Sequence, residues 1–589
     1  MLEDRRSLPE DFPGKAILIA FAVVAAILFL SGIDRLIDRQ FPDPDDVLRL
    51  VQVRDLFAGQ GWFDPTQYRI NPPEGTPMHW SRLVDAPILA ILFLLTPIIG
   101  QATAETVAII ALPIFVFGLS VVVLARMTWR LLGSRAAVFA VLVCGFLPAV
   151  LFQFRPMRID HHGWQIFTVI LALWAISWRD GRKGGWVAGL SLAFGLSISL
   201  EVLPMAAAFG GVLFLRWLKT GANKIWLISF MHALSAGLAI FYLLTRGLSP
   251  LEYCDAISPA HIAFFAVAAA GTWLVAQFGA LRLPAIVAML GLVAVAALGV
   301  FALLSPNCLT TPFARLDPVV DQFWYQRVLE GRPVWDQSMR HAVPSLIQLI
   351  AAMGAAAMLR MRSQSWLRQW WTDYLMLLLS AGVLSVLVSR SMAIAAMMAA
   401  MPLGWLASEL LLKLRQSKRI AHKLAAAFAF LILLAPFTPL TLYSMAKPTE
   451  QNLAFRQASL DEAKCRVREQ VPLLNAIPST TVFTPLDIGP NLLLATHHSV
   501  VATGHHRSQE AMADVINTFL ASPEKAEEIV RRHNASYLAL CADLAETMHY
   551  EFGNPDGLGA QLKYGQYPDW LEPVDLGQSR EFLVFRVTN

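Results

Sequence analysis

Residues 15–33, KAILIAFAVVAAILFLSGI, followed shortly by Phe41-Pro-Asp-Pro-Asp-Asp-Val-Leu-Arg49, decide how the rest of the chain is read. At 1.5 Å per residue the first stretch is long enough to cross about 30 Å of hydrocarbon. It lacks a small-residue cleavage site and follows mixed acidic and basic residues, so it reads as a retained helix and not as a removed signal. Comparable apolar segments recur to about residue 445, roughly thirteen in all by the same length criterion. Of the 589 residues, 56% are hydrophobic and 15% charged, so lipid is the expected solvent. With a net charge of +4 and no run of five basic residues, nucleic acid is excluded as a partner.

Short loops rich in Arg and Lys stay in the cytoplasm, and this sets the orientation. Arg5, Arg6 and Lys15 precede the first helix, and Arg126, Arg130 and Arg135 form the next group. Further groups are Arg179, Arg182 and Lys183, then Arg216, Lys219 and Lys224, and finally Lys413 to Lys423. All fall on one side if Ala86 to Ile99 lies in the interface as part of a first outer loop, residues 34–104. Residues 153–162, 246–259, 305–341 and everything after about 445 are then outside. The expected organisation is a polytopic α-helical membrane domain over 1–445 and an extracytoplasmic soluble α/β domain over 446–589. In that tail, alternating segments at Thr480–Phe483, Val500–Ala502, Ser536–Leu540 and Glu581–Val587 read as short strands between amphipathic helices. Cys254, Cys308, Cys465 and Cys541 lie in outer segments where disulfides persist, and Cys465 and Cys541 can pair or remain free thiols.

Polar residues crowd into three outer segments. Asp43, Asp45 and Asp46 offer hard oxygen ligands just beyond a membrane helix, or a solvated acidic turn with Asp46 as a helix cap. Arg155-Pro-Met-Arg-Ile-Asp-His-His-Gly163 combines a carboxylate with two imidazoles, a set that also suits transition metals; an acidic helix cap is the plainer reading. The long loop 305–341 carries Glu330 among aromatics and guanidinium groups. Arg390 stands between two apolar runs, where an arginine is costly without an anionic partner.

These residues resemble the catalytic subunits of oligosaccharyltransferase, within the GT-C class of membrane glycosyltransferases, over most of the chain. The family's first loop has D-P-x-x-x-x-R, matched by Asp43-Pro44 and Arg49; archaeal members often carry D-H-H, matched by Asp160-His161-His162. The S-V-S-E-x-x-P motif of a flexible outer loop keeps its glutamate and proline at Glu330 and Pro333 but not its serines. The resemblance implies a GT-C-like fold with about thirteen membrane helices and a divalent metal, Mg²⁺ or Mn²⁺, held by Asp43, Asp160, His162 and Glu330. It also implies carrier-phosphate binding by Arg390, with Asp45 or Asp46 as a neighbouring ligand or base.

One motif departs. The W-W-D-Y-G segment that reads an Asn-X-Ser/Thr acceptor is represented only by Pro485-Leu-Asp487-Ile-Gly489, without tryptophans. His497, His498, His505, His506 and Arg507 are the remaining candidates for acceptor binding. The expected function is transfer of a sugar or oligosaccharide from a polyprenyl-phosphate or -diphosphate carrier to a lipid, glycan or protein acceptor. The expected place is the periplasmic face of a bacterial inner membrane. The alternatives are a monosaccharide transferase modifying lipid A or a polysaccharide and, because its charges lie in outer loops and not at mid-membrane, less readily a transporter.

Overall fold

The computed structural model describes residues 11–588 except 39, 249–252, 279–281, 312, 315 and 439–463. The domain boundary expected at 445/446 lies outside the described residues. Contacts group the chain into two units. One is Met1–Ile33, Trp80–Pro312 and Leu329–Pro448; the other is Asp34–His79, Phe313–Val328 and Thr449–Asn589.

The first unit is helical and of the multi-pass membrane type. Among the described residues, 10 helices are long and apolar enough to cross a membrane. A pair bent by 71°, Ser134–Cys144 and Pro148–Phe154, and two shorter apolar helices, His162–Ile176 and Ile420–Leu434, accompany them. Pro148 starts the second half of the bent pair, where a missing N–H costs nothing. Ala86 to Ile99, read from the charge pattern as interfacial, falls within the helix Arg82–Ile99, which also meets the length and hydropathy of a span. Small residues let helices approach closely where lipid gives no hydrophobic drive for association. A Cβ on Gly185 in Gly181–Ile198, for example, would stand 2.7 Å from the carbonyl oxygen of Trp226 in Lys224–Arg246. Arg216, assigned by sequence to an inner loop, is buried in the last turn of Leu203–Lys219 and pairs with buried Asp373 at 2.7 Å. Removing either partner would strand a buried charge.

What positions the chemistry in this unit is a set of interruptions in the helices. These are the loop leading into His162–Ile176, the 3₁₀ turns Leu200–Val202 and Ser389–Ser391, and the turn Leu329–Gly331. Cys254 and Cys308 are disulfide-bonded in this unit.

The second unit contains the α/β domain expected for the tail. Its five-stranded sheet runs Ser499–Val500, Thr481–Phe483, Tyr537–Cys541, Phe582–Val587, Leu571–Pro573. The first three strands are parallel and the last two antiparallel to their neighbours. Every residue of Tyr537–Cys541 is buried, as befits a central strand covered on both faces. Its core gathers Phe483, Leu538, Leu540, Met512, Ile516, Phe519 and Tyr550. Leu571–Pro573 escaped the sequence reading because a three-residue edge strand ending in proline carries almost no alternation.

Two segments that the charge pattern assigns to outer loops belong to this unit by packing. Val320 of the helix Pro318–Phe323 enters its core. Arg69 donates to the carbonyls of Thr496 and His498, and Arg54 to that of Leu494. Cys465 and Cys541 form a disulfide here, resolving the open alternative in favour of the pair.

Candidate active site

In the first unit Asp160 uses both of its carboxylate oxygens at the start of His162–Ile176. One carboxylate oxygen accepts the backbone N–H of His162 at 3.1 Å, a capping contact at the start of His162–Ile176. The other lies 2.6 Å from His162 Nδ1 and 3.0 Å from the Arg158 guanidinium. Arg158 is held in turn by Gln153 at 3.0 Å and by the ring of Phe152. Burial opposes charge on Asp160, but Arg158 and His162 hold its carboxyl well below the usual carboxylate range. It is therefore ionised, and it fixes the His162 ring with Nδ1 toward the carboxylate.

That leaves Nε2 of His162. The residue is 4% exposed, and this atom is buried without a hydrogen-bond partner. The His161 ring stacks on it, with centroids 4.3 Å apart. Atoms of Asp160, His161 and His162 able to bind a metal lie within 4.8 Å of one another. A carboxylate on one imidazole nitrogen and an orphaned second nitrogen is the pattern of a metal-binding histidine with its supporting acid, so the residues fit a divalent cation.

Sequence reasoning missed Glu201. It comes from the turn Leu200–Val202, whose start is capped by Ser199, and faces the same cluster. One of its oxygens is 2.9 Å from Arg390 Nε. The other accepts from Gln165 at 3.0 Å and is 3.8 and 3.9 Å from the Nε2 atoms of His161 and His162. Glu330 is also at Arg390, 3.6 Å away, and Ser389 donates to the carbonyl of Arg332 at 3.0 Å, tying the loop to the Arg390 turn. Arg390 thus has the anionic partners its depth demanded, in two glutamates. The available signal was Ser199-Leu-Glu-Val-Leu-Pro204: an ionisable residue in an apolar run is a functional candidate by default.

The other candidates lie in the second unit. Asp43 caps Pro44–Phe57 by accepting the N–H of Asp45 at 2.9 Å. Capping therefore falls to Asp43 and not to Asp46, which is fully buried. Asp45, a third exposed, is 3.1 Å from His505 Nε2, and His505 Nδ1 is 2.9 Å from the Thr503 hydroxyl. Both ring nitrogens of His505 thus have partners within the protein, Asp45 and Thr503. His506 is half-buried among Phe313, Trp324 and His79, with centroids 4.9, 6.0 and 5.3 Å away, and Arg507 donates to His79 at 3.0 Å.

For His498 the structure corrects the sequence expectation. It is fully buried, donates from Nε2 to Leu474 O at 2.7 Å and accepts the Thr480 N–H at Nδ1, so neither nitrogen remains for an acceptor. Burial lowers its pKa, in keeping with that neutral, fully used ring. His497 likewise bonds the Ile477 carbonyl at 3.1 Å.

Asp487 is half-buried in the Pro485–Gly489 segment beside buried Glu546. Glu546 accepts the N–H groups of Leu486 and Asp487, each at 2.8 Å, and the Tyr550 hydroxyl. Burial, and then the Asp487 charge, push Glu546 up to about 8; burial pushes Asp487 up to about 6.

No family model and no curated protein matches this chain. Solved structures do. The archaeal oligosaccharyltransferase AglB from Archaeoglobus fulgidus, in complex with an inhibitory peptide and a dolichol-phosphate, matches with a TM-score of 0.65 and 15% identity. The match covers 94% of this chain and 72% of that one. The A. fulgidus oligosaccharyltransferase in complex with Zn and sulfate matches at 0.60 and 14%, over 98% and 73%. ArnT from Cupriavidus metallidurans, bound to undecaprenyl phosphate, reaches 0.46 at 12% identity over 97% and 98%, too weak a likeness to support an argument. At these identities the likeness speaks for architecture: this chain has the GT-C-like fold of the archaeal oligosaccharyltransferases, a multi-pass helical unit with a C-terminal α/β domain.

Proposed function

We propose that the protein is a metal-dependent membrane glycosyltransferase. It would take a sugar or oligosaccharide from a polyprenyl-phosphate or -diphosphate carrier and deliver it to a lipid or glycan at the periplasmic face of a bacterial inner membrane. The observation that carries this reading is the linked set Asp160, His161, His162, Glu201 and Arg390, in which a buried imidazole nitrogen has no partner and a guanidinium is held by carboxylates. The ligands of the A. fulgidus structures, a dolichol-phosphate in one and Zn with sulfate in another, support the same chemistry.

The chemical problem is a phosphate leaving from an anomeric carbon. A divalent cation, Mg²⁺ or Mn²⁺ as the resemblance has it, supplies Lewis-acid charge for that leaving group. His162 offers Nε2 as a ligand because Asp160 occupies Nδ1. Arg390 binds carrier phosphate through its planar fork of donors, exchanging the carboxylates of Glu201 and Glu330 for phosphate oxygens. Glu330, freed in that exchange, is the loop glutamate that the resemblance makes a ligand on closure. Asp45, a third exposed and held by His505, is the group suited to accept a proton from an acceptor hydroxyl; Asp46, fully buried, is not. The resemblance also counts Asp43 as a ligand. Asp43→Asn preserves the helix cap and removes the charge, so loss of activity in a folded variant tests its part.

The acceptor is a lipid or glycan because the sequon motif lacks its tryptophans and Asp487 shares its surroundings with a second acid. A site that reads a peptide hydroxyl gains discrimination from polar groups shielded from water. Purified enzyme given a radiolabelled polyprenyl-linked donor should label membrane lipid or polysaccharide and leave Asn-X-Ser/Thr peptides unlabelled. Efficient peptide labelling that disappears when Ser/Thr becomes Ala would overturn the acceptor assignment.

A further inference from the structure

We propose that Glu201 is a direct ligand of the divalent cation, with His161 and His162, and couples that cation to the carrier-phosphate anchor Arg390. The proposal rests on the metal-dependent reading above and adds a residue that the sequence motifs do not contain.

The geometry is specific. The Glu201 oxygen that faces the histidines is 3.8 Å from His161 Nε2 and 3.9 Å from His162 Nε2. Those distances are too long for hydrogen bonds. Two donors each about 2.1 Å from one ion stand roughly 3–4 Å apart, so the spacing is that of ligands around a cation. Three features aim the groups. Asp160 holds His162 Nδ1 at 2.6 Å, so the orphaned Nε2 points away from that contact. Gln165, one turn along the helix from His161 and His162, donates to the same Glu201 oxygen at 3.0 Å and fixes the carboxylate plane. Arg390 holds the other oxygen at 2.9 Å.

Glu201 therefore has one oxygen for the cation and one for the phosphate-binding guanidinium. Displacement of the second oxygen by carrier phosphate leaves the whole carboxylate to the ion. A donor set of two imidazoles and a carboxylate favours Mn²⁺ over Mg²⁺, because imidazole is a poor ligand for magnesium.

Mn²⁺ titration of the purified full chain, followed by electron paramagnetic resonance, tests the assignment without turnover. The wild-type protein should bind Mn²⁺ with nitrogen couplings from two imidazoles. Glu201→Gln should weaken binding at least tenfold while keeping both couplings, whereas His162→Ala should remove one. Unchanged Mn²⁺ affinity in Glu201→Gln overturns the proposal alone, since the metal site would persist without the glutamate. Wild-type protein without nitrogen-coupled Mn²⁺ overturns the metal reading beneath it as well.

A second measurement needs no variant. Carbodiimide labelling of Glu201 in the wild-type chain, read by mass spectrometry, should be suppressed by Mn²⁺. Undiminished labelling at saturating Mn²⁺ counts against direct ligation and overturns the proposal.

Discussion

The two units each gather a cluster of buried and half-buried acids, and they neutralise them in opposite ways. In the helical unit Asp160 sits against Arg158 and His162, and Glu201 against Arg390, so every carboxylate faces a cation. In the α/β unit Glu546 meets only neutral donors, two backbone N–H groups and a tyrosine hydroxyl, with Asp487 beside it. The first arrangement keeps charge fixed in a poorly solvated place, which is what binding a cation and a phosphate requires. The second pushes protons onto the acids, Glu546 to about 8 and Asp487 to about 6. Carboxylates are common to both clusters; their neighbours decide whether they serve as charges or as hydrogen-bonding scaffold.

The strongest test of this contrast removes charge from the helical cluster. Asp160→Asn should lower turnover by about 100-fold, since it removes the group that presents His162 Nε2. Metal chelation of the wild-type enzyme should do the same. Folded Asp160→Asn protein with full turnover, or wild-type turnover surviving EDTA, would break the contrast at its centre.

Arg390→Leu comes next. Loss of a charge-assisted contact to phosphate is worth about 2–3 kcal/mol, so donor affinity should fall roughly 30- to 100-fold while acceptor KM stays near its wild-type value. Donor titration measures this, and unchanged affinity would make Arg390 a structural counter-ion of Glu201 and Glu330.

The smallest expected effect belongs to the α/β unit. Glu546 is raised in the folded protein from 4.5 to about 8, so the stability gained from its neutral form is complete below about pH 4.5 and is lost as pH rises through about 8. The melting transition of this unit should fall across that window. Glu546→Gln, neutral at every pH, should flatten the dependence. A pH-independent melting point in the wild-type protein would mean that Glu546 is ionised in the folded state, and the difference between the two clusters would vanish.

Much of this was legible in the sequence. Apolar length and composition determined a multi-pass helical protein, because a membrane span is a local property of about twenty consecutive residues. Four of the five strands were visible as alternating segments for the same reason. Asp160, His162 and Arg390 stood out because ionisable groups beside apolar runs are costly and need an explanation.

Tertiary structure alone decided how these residues divide their work. Whether Asp160 is ligand or orienting acid depends on which imidazole nitrogen it meets, and whether His498 is available depends on the carbonyl of Leu474, twenty-four residues away. That 34–79 and 313–328 pack with the C-terminal residues is likewise a matter of partners remote in sequence. Glu201 is the clearest case. Its position in an apolar run marked it as unusual, but only the folding of three helix interruptions toward one another brings it between Arg390 and two histidines. Sequence records how costly a charge is to bury; the fold determines which neighbour makes the burial tolerable, and that neighbour sets its chemistry.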